Sequence, residues 1–163
     1  MSDWAVRTTD PAETDAIVDL WHRGWHDGHA GLVPDDLTAR RSRDDFAARW
    51  PALAPHARTV GPIGAPLCLC VVLGDDLNQF YVDTGARGTG LAARLLADGE
   101  SRIAQAGFET ARLDVVIENT RAQRFYAKCG WQDAGDTLVA LKTMSGPYEI
   151  ELRRMTKSLA PAA

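Results

Sequence analysis

Apolar and polar residues follow two different periods along this chain. Residues 67–73, LCLCVVL, form a short unbroken apolar run, which is typical of a strand buried on both faces of a sheet. Residues 78–82 and 111–117 have the same strand character, whereas the segment from Leu91 to Gly107 carries apolar side chains at helical spacing. The pattern predicts a strand, a crossover helix and a second strand, which makes the two strands parallel neighbours.

The flanking segments complete an α/β domain. A helix is predicted to begin at Asp10, because Asp, Pro and a later Glu form a capping box before an apolar stripe. Residues 139–141 and 148–152 have the pattern of a closing antiparallel pair. We predict a single domain over residues 1–157 and a loose C-terminal tail over residues 158–163.

The loop between the first parallel strand and the crossover helix has the composition of an anion site. Residues 81–97 read YVDTGARGTGLAARLLA, with glycines at Gly85, Gly88 and Gly90 and one arginine, Arg87. Glycine lets backbone N–H groups turn toward a ligand, and the first turn of a helix leaves N–H groups unpaired at the positive end of its dipole. The loop therefore predicts a phosphate site at the edge of the sheet where α/β folds bind ligands.

Three known phosphate-binding motifs can be compared with the sequence of this loop. A nucleotide-hydrolysing P-loop requires Gly-Lys-Ser/Thr where this helix opens with Gly90 and Leu91, so that class is excluded. Residues 88–93, GTGLAA, fit the permissive dinucleotide fingerprint, but too little chain follows to build two mononucleotide-binding halves. Residues 87–92, RGTGLA, match Arg/Gln-x-x-Gly-x-Gly/Ala. At this point the chain resembles the GCN5-related N-acetyltransferases, the GNAT family, in which this loop binds the pyrophosphate of acetyl-CoA.

A second motif in the correct order strengthens the resemblance. Asn119-x-x-Ala122-x-x-Phe125-Tyr126, followed by a glycine and Trp131, is similar to the family's later motif. The resemblance covers residues 77–131. It implies an α/β fold with a mixed, mostly antiparallel twisted sheet, a central parallel strand pair splayed at the acyl-CoA cleft, and helices on both faces. It also implies an enzyme that moves acetyl from acetyl-CoA to a primary amine by direct attack in a ternary complex.

The resemblance further implies roles for particular residues. Tyr126 would protonate the departing CoA thiolate, which suits a phenol with a pKa of about 10. Asn119 would contact the pantetheine arm or order the cleft between the two strands. The first helices would border the acceptor pocket, which makes Trp21, Trp25, His26 and His29 candidate substrate contacts. The remaining expected acetyl-CoA contacts are the backbone of Tyr81, Val82 and Asp83, the side chain of Arg87, and the backbone N–H groups of Gly88, Thr89, Gly90, Leu91 and Ala92.

The general base is left open by the sequence. An amine acceptor must lose a proton before it attacks the thioester, and many family members use a glutamate on the strand before the phosphate loop. This strand offers Gln79, which cannot take a proton. Glu118, Asp76, His26 and His29 are the alternatives, together with a water relay.

Composition limits the partners but does not name the acceptor. The formal net charge of -4 gives no global basic field, so we expect no nucleic-acid partner. No signal pattern or membrane-spanning apolar run is visible, so we expect a cytoplasmic protein that does not associate with a membrane. His22, His26 and His29 are spaced so that they could share one face of a helix, but the sequence offers no nearby fourth ligand. We therefore expect no metal. A small-molecule or peptide amine is the expected acceptor, and a homodimer is the prior expectation for assembly. The alternative function is a non-catalytic acyl-CoA-binding or sensing module.

Overall fold

The computed structural model describes residues 4–160 of the chain, within which seven strands form one sheet. The strands are β1 (Arg7–Thr8), β2 (Ala57–Val60), β3 (Cys68–Leu73), β4 (Asp76–Val82), β5 (Thr110–Val115), β6 (Gln132–Leu141) and β7 (Tyr148–Ser158). Their order across the sheet is β1-β2-β3-β4-β5-β7-β6. Neighbouring strands are antiparallel except for β4 and β5, which are parallel. The predicted parallel pair therefore lies at the centre of a mostly antiparallel sheet.

Helices cover both faces of this sheet. They are α1 (Thr14–His29), α2 (Asp35–Arg40), α3 (Arg43–Leu53), α4 (Leu91–Gln105) and α5 (Thr120–Lys128). On one face, Trp21 of α1 and Phe46 of α3 are buried together with Leu69 of β3. On the other face, Leu95 of α4 is buried together with Cys68 of β3. Strand β3 contributes to both cores, as its unbroken apolar run predicted, and the predicted fold class is confirmed.

The central parallel pair separates soon after it begins. β4 and β5 are paired at Asp76 and Arg112, and the described residues contain no further pair between these strands. The register between β3 and β4 shifts between Val71 and Val72, which leaves Asn78 as one extra residue of β4, a β-bulge. A bulge bends its strand and interrupts the ladder. The bulge thus lies where β4 turns away from β5 and the gap between them opens.

Helix α5 is capped by the side chain of Asn119, the residue before its first turn. Thr120 and Gln123 have capping-box spacing, but the side-chain oxygen of Asn119 accepts the backbone N–H of Ala122 at 3.2 Å. Gln123 instead donates its side-chain amide to the carbonyl of Val116 at 3.2 Å. Asparagine is a strong N-cap residue because its short side chain reaches the unpaired N–H groups of the first turn. Asn119 is therefore held at the end of β5.

Helix α1 approaches β4 very closely at Gly24. An ideal Cβ on Gly24 would lie 2.9 Å from Cδ1 and 3.2 Å from Cβ of Tyr81. A Cβ on Gly28, one turn later, would meet only the side-chain nitrogen of Asn119, at 3.9 Å. Glycine at position 24 therefore determines how closely α1 packs against the strand that leads into the glycine loop.

The C-terminal strand is longer than the sequence indicated. β7 continues to Ser158, and the backbone N–H of Leu159 donates to the carbonyl of Glu109 at 2.8 Å. The first residue of the expected tail thus belongs to the sheet, and residues 161–163 lie outside the described part of the chain. No helix within residues 4–160 is long and apolar enough to span a membrane.

Candidate functional site

The glycine loop has a conformation that only glycine adopts without strain. Gly88 and Gly90 have φ angles of +76° and +81°, and Gly90 is the residue that precedes the first turn of α4. An ideal Cβ on either residue would have nothing within 4 Å. The space in front of these two glycines is therefore open, as a loop that receives a ligand requires.

Backbone N–H groups around this open space have no protein partner. Within the described residues, no acceptor is found for the backbone N–H of Gly88, Thr89, Gly90, Ala92 or Ala93. The hydroxyl of Thr89 donates to the carbonyl of Ala86 at 2.5 Å, which closes the loop on itself. Unpaired N–H groups at a helix N-terminus attract anions because they point outward at the positive end of the helix dipole.

Arg87 makes an ion pair that the sequence did not indicate. Its Nη2 donates to the carboxylate of Asp27 in α1 at 2.6 Å, and Arg121 of α5 lies 3.7 Å from the same carboxylate. The hydrogen bond from Arg87 holds the pKa of Asp27 below its usual value. All three side chains are well exposed, so this pair contributes little to stability and can be exchanged for another anion.

The gap between β4 and β5 forms a cavity of about 460 Å³ that runs into the glycine loop, and we call it the glycine-loop cleft. The backbone N–H of Asp83 donates to the carbonyl of Leu67 at 2.8 Å, so Asp83 faces away from the cleft. Backbone groups alternate along a strand, which turns those of Tyr81 toward β3 and those of Phe80 and Val82 toward the cleft. Of the three backbone contacts expected for pantetheine, Val82 therefore faces the cleft.

Most of the other expected contacts line the same cleft, whereas Thr89 and Leu91 do not. Arg87, Gly88, Gly90, Ala92, Asn119 and Tyr126 all line it. Tyr126 is 8% exposed and packs against Phe80 and Trp131, with ring centroids 6.2 and 6.0 Å away. Burial raises the pKa of the Tyr126 phenol above its ordinary value, so the hydroxyl stays protonated and can donate a hydrogen bond.

A second cavity, of about 510 Å³, lies between α3, the beginning of β4 and the strands β5, β6 and β7. We call it the arginine cavity, because four arginines line it: Arg41, Arg49, Arg112 and Arg154. The two cavities share part of their walls, namely Leu77, Asn78, Gln79 and Asp114. The two cavities therefore adjoin at the bulge, where the parallel strands separate.

Gln79 stands at this junction and is held by two neighbours. Its side-chain oxygen accepts the indole N–H of Trp21 at 3.0 Å, and its side-chain nitrogen donates to the side chain of Asn78 at 3.1 Å. Trp21 is fully buried and Trp25 is 7% exposed, and neither lines a cavity described above. The structure thus places both tryptophans beneath the site, where Trp21 positions Gln79.

The four side chains considered as general bases lie in different surroundings. Asp76 lines the arginine cavity, and burial raises the pKa of its carboxyl group. His29 lines the glycine-loop cleft, and burial lowers the pKa of its imidazole. Nδ1 of His29 donates to the carbonyl of Trp25 at 2.8 Å, which leaves Nε2 as the free acceptor in the neutral ring.

The two remaining candidates are less well placed. Nε2 of His26 is bonded to the carbonyl of Arg41 at 2.6 Å, and His26 lines neither cavity. Glu118 is exposed and also lies outside both cavities. The structure therefore brings Asp76 and His29 to the site but not His26 or Glu118.

Sequence reasoning missed the arginines of the second cavity. Arg41 and Arg49 lie in a polar stretch with several other charged residues, and Arg112 and Arg154 lie on strands that carry other charged residues nearby. Charged residues in such positions are usually solvated, and no spacing distinguishes these four. Their shared cavity depends on the packing of four separate elements, so the sequence carried no local signal for it.

Comparison with known protein families gives one match to this chain. Residues 68–131 match the family described as "Acetyltransferase (GNAT) family". This segment contains β3, β4, the glycine loop, α4, β5 and α5, so it includes both motifs that carried the resemblance. A comparison with curated proteins found no match.

Solved structures share the fold over nearly the whole chain. A GCN5-related N-acetyltransferase from Rhodopseudomonas palustris aligns with a TM-score of 0.75 at 19% identity, covering 98% of both chains. The protein yncA from Salmonella typhimurium, solved with its cofactor acetyl-CoA, aligns with a TM-score of 0.69 at 18% identity, covering 99% of this chain and 97% of the other. The paia N-acetyltransferase from Thermoplasma acidophilum, in complex with coenzyme A, aligns with a TM-score of 0.64 at 15% identity, covering 97% of this chain and 99% of the other.

Proposed function

We propose that this chain, recognised through residues 68–131 as a GNAT-family N-acetyltransferase, transfers acetyl from acetyl-CoA to a primary amine by direct attack within a ternary complex. The observation that carries the proposal is the junction of two cavities at the bulge of β4. One cavity ends in an anion-binding loop and the other is closed by charged side chains. A donor and an acceptor can therefore meet between the splayed strands without a covalent enzyme intermediate.

Acetyl-CoA fits the glycine-loop cleft at several points. The unpaired N–H groups of Gly88, Thr89 and Gly90 would hold the pyrophosphate, and Arg87 would leave Asp27 to join them. The backbone of Phe80 and Val82 would pair with the pantetheine arm as an added strand does. Asn119, at the end of β5, would line the opposite side of that arm.

In the proposed reaction, the neutral amine nitrogen attacks the thioester carbonyl carbon. A C–N bond forms, the C–S bond breaks, and its electron pair leaves with sulfur. The Tyr126 hydroxyl donates its proton to the developing thiolate. The nitrogen, which is positively charged after the attack, then releases a proton that restores the Tyr126 hydroxyl. Only one proton remains to be removed, and this is the proton that the ammonium form loses before attack.

Asp76 is the side chain that we assign to remove that proton. It lines the arginine cavity at the bulge, beside Asn78, whose side-chain nitrogen donates to it at 3.0 Å. A carboxylate with a raised pKa is a better base than an ordinary aspartate, because its affinity for protons is closer to what transfer requires. His29 is the competing assignment, since its free Nε2 lies in the other cavity.

The pH dependence of turnover separates these two assignments. Activity should fall as the pH drops through the raised pKa of Asp76, because the protonated carboxyl cannot accept a proton. Asp76→Asn should lower kcat/KM by about 100-fold and remove this acid-side inflection. Asp133→Asn is the control, since Asp133 pairs with Arg153 and lines neither cavity. If His29→Gln removes the inflection and Asp76→Asn does not, the base is His29.

The function itself is tested by calorimetric titration with acetyl-CoA, free CoA and NADH, followed by thiol release with a panel of small and peptide amines. We expect both CoA species to bind, NADH not to compete, and at least one amine to be acetylated. Gln79, which cannot accept a proton, favours the alternative of an acyl-CoA-binding module. Binding of CoA without turnover on any amine would support that alternative, and no CoA binding by folded protein would refute both.

A further inference from the structure

The arginine cavity holds more positive than negative charge. Its lining includes the four arginines and Lys142, against two carboxylates, Asp76 and Asp114. Some of these charges are balanced: Arg154 forms two hydrogen bonds to Asp114, at 2.9 and 3.1 Å, and Arg112 is paired with Asp75 at 3.1 Å. The excess therefore lies elsewhere, on the wall built by α2, α3 and the end of β6.

Two guanidinium groups on that wall share one buried carboxylate. Asp45 is fully buried, and its Oδ2 accepts from both Arg41 and Arg49 at 3.0 Å. Its Oδ1 is occupied by the backbone N–H of Met144 at 2.7 Å. One carboxylate cannot neutralise two guanidinium groups, so this corner retains about one unit of positive charge.

Arg49 is the member of this group that can still bind a ligand. Arg41 is 4% exposed and uses Nη1 for both Asp45 and the carbonyl of Lys142, so it fastens α3 to the end of β6. Arg49 uses Nε and Nη2 for Asp45, and within the described residues its Nη1 has no hydrogen-bond partner. Burial lowers the pKa of Arg49 to about 10, because the guanidinium has lost water and lies near Arg41. An anion in the cavity would offset that loss.

The guanidinium of Arg49 is also held in place from behind. It lies over the rings of Trp21 and Phe46, with its carbon 4.6 and 5.0 Å from their centroids. A planar guanidinium fixed against aromatic rings loses little freedom when it binds a carboxylate. The buried tryptophan that positions Gln79 therefore also supports Arg49.

Asp76 lies in the same cavity among a different set of charged and polar groups. Burial is the largest influence on the pKa of both groups, but the further influences come from different residues. They are Asn78, Arg112, Asp114 and Asp75 for Asp76, and Arg41, Asp45 and Tyr81 for Arg49. The two groups thus stand in separate electrostatic surroundings of one cavity. Asp76 lies on β4 beside the junction with the glycine-loop cleft, where the amine must be placed.

We propose that the acceptor is an amine that also carries a carboxylate, such as a free amino acid or a short peptide, and that Arg49 binds this carboxylate. The inference rests on the proposed acetyl transfer and adds the substrate class to it. The amine would enter as the ammonium, next to Asp76, while its carboxylate lies against Nη1 of Arg49. An amine without an anionic group would leave Nη1 of Arg49 without an acceptor in the occupied cavity, at a cost in binding.

Binding and turnover are measured separately so that the two proposals can fail separately. In the binding arm, the protein saturated with free CoA is titrated with N-acetyl amino acids and with the corresponding N-acetyl amides, which lack the carboxylate. We expect the acids to bind at least 10-fold more tightly than the amides. In the turnover arm, thiol release from acetyl-CoA is compared for amino acids, their amides and the decarboxylated amines.

Arg49→Gln should abolish the preference for the acids in the binding arm and raise KM for amino acids at least 10-fold, with the Kd for acetyl-CoA unchanged. Arg49→Lys should retain part of the preference, because it keeps the charge but not the fork of donors. Arg43→Gln is the matched control, since Arg43 is also on α3 but pairs with Asp19 outside the cavity. It should behave as wild type.

Four results would overturn this inference. Equal binding of acids and amides by wild-type protein would refute the carboxylate site, and so would the absence of binding by either. A preference for acids that survives in Arg49→Gln would refute the role of Arg49. Acetylation of amines without regard to the carboxylate would refute the substrate class and leave acetyl transfer standing, whereas binding of the acids without turnover would refute only the transfer.

Discussion

The glycine-loop cleft and the arginine cavity meet at one β-bulge, yet the chain builds them in different ways. The glycine-loop cleft takes most of its wall from residues 77–93 and 113–126, two nearly continuous segments. The arginine cavity is lined by residues of α3, β4, β5, β6 and β7, which are spread over more than half of the chain. Only the first of these sites left a recognisable motif in the sequence.

The difference follows from which atoms do the binding. In the glycine-loop cleft the expected contacts are backbone N–H groups, which reach a ligand only where glycine permits a positive φ angle and leaves the space open. Such a loop constrains residue types at fixed spacing. In the arginine cavity the charges stand on long side chains, which can reach the same point from many backbone positions, so no fixed spacing arises.

The largest expected effect concerns Tyr126, which lines the glycine-loop cleft but should serve every acceptor alike. Tyr126→Phe keeps the buried ring and removes the hydroxyl that donates to the thiolate. We expect kcat to fall by about 100-fold or more for each amine tested, with the Kd for CoA nearly unchanged. Steady-state kinetics and calorimetry on the same preparation check this. A loss that differs strongly between acceptors would show that Tyr126 belongs to the acceptor side instead.

The next largest effect is expected at the contact between Gly24 of α1 and Tyr81, which positions β4 between the two cavities. Gly24→Ala places a methyl group 2.9 Å from the ring of Tyr81 and should lower the free energy of unfolding by about 1–3 kcal/mol. Gly28→Ala lies on the same helix with its nearest neighbour at 3.9 Å, so it should be neutral or stabilise by up to about 1 kcal/mol. Urea unfolding of both variants measures the difference. Equal stabilities would mean that α1 can shift freely on β4.

A smaller effect is expected in the glycine loop, where ligand binding can be measured separately from the stability of the fold. Gly90→Ala forces a side chain into a left-handed backbone and into the open space that the pyrophosphate should occupy. We expect acetyl-CoA to bind about 10-fold more weakly, in addition to a backbone cost of about 1–2 kcal/mol. Gly107→Ala is the control, because Gly107 also has a positive φ angle and open surroundings but lies beyond the far end of α4. Its backbone cost should be similar and its Kd unchanged.

The smallest effect concerns the pH dependence of stability through His29. Burial lowers its pKa in the folded protein, while the unfolded chain has the ordinary value of about 6.5. Below that pH the unfolded state binds the proton more readily, so the free energy of unfolding should fall as the pH drops from 6.5 toward the lowered folded pKa. His29→Gln should flatten this part of the curve relative to wild type. Parallel curves for the two proteins would contradict the assignment.

The sequence predicted the elements of the glycine-loop cleft well, because each leaves a local pattern. The apolar run of β3, the loop after β4 and the glycine beyond α4 all appear where expected. Asn119 and Thr120 both offer capping chemistry for α5, and the backbone of the folded chain selects Asn119. The bulge at Asn78 was invisible, since an extra residue is defined by the register with β3.

By itself, the sequence therefore predicted the fold class, the resemblance to the GNAT family and the glycine loop after β4, all of which depend on residue types at short, fixed spacing. The tertiary structure alone decided that Trp21 supports Gln79 and Arg49, that Asp27 holds Arg87, and that distant arginines share one cavity. The physical reason is that these contacts join residues far apart in the chain. Their geometry exists only after the helices have packed on the twisted sheet.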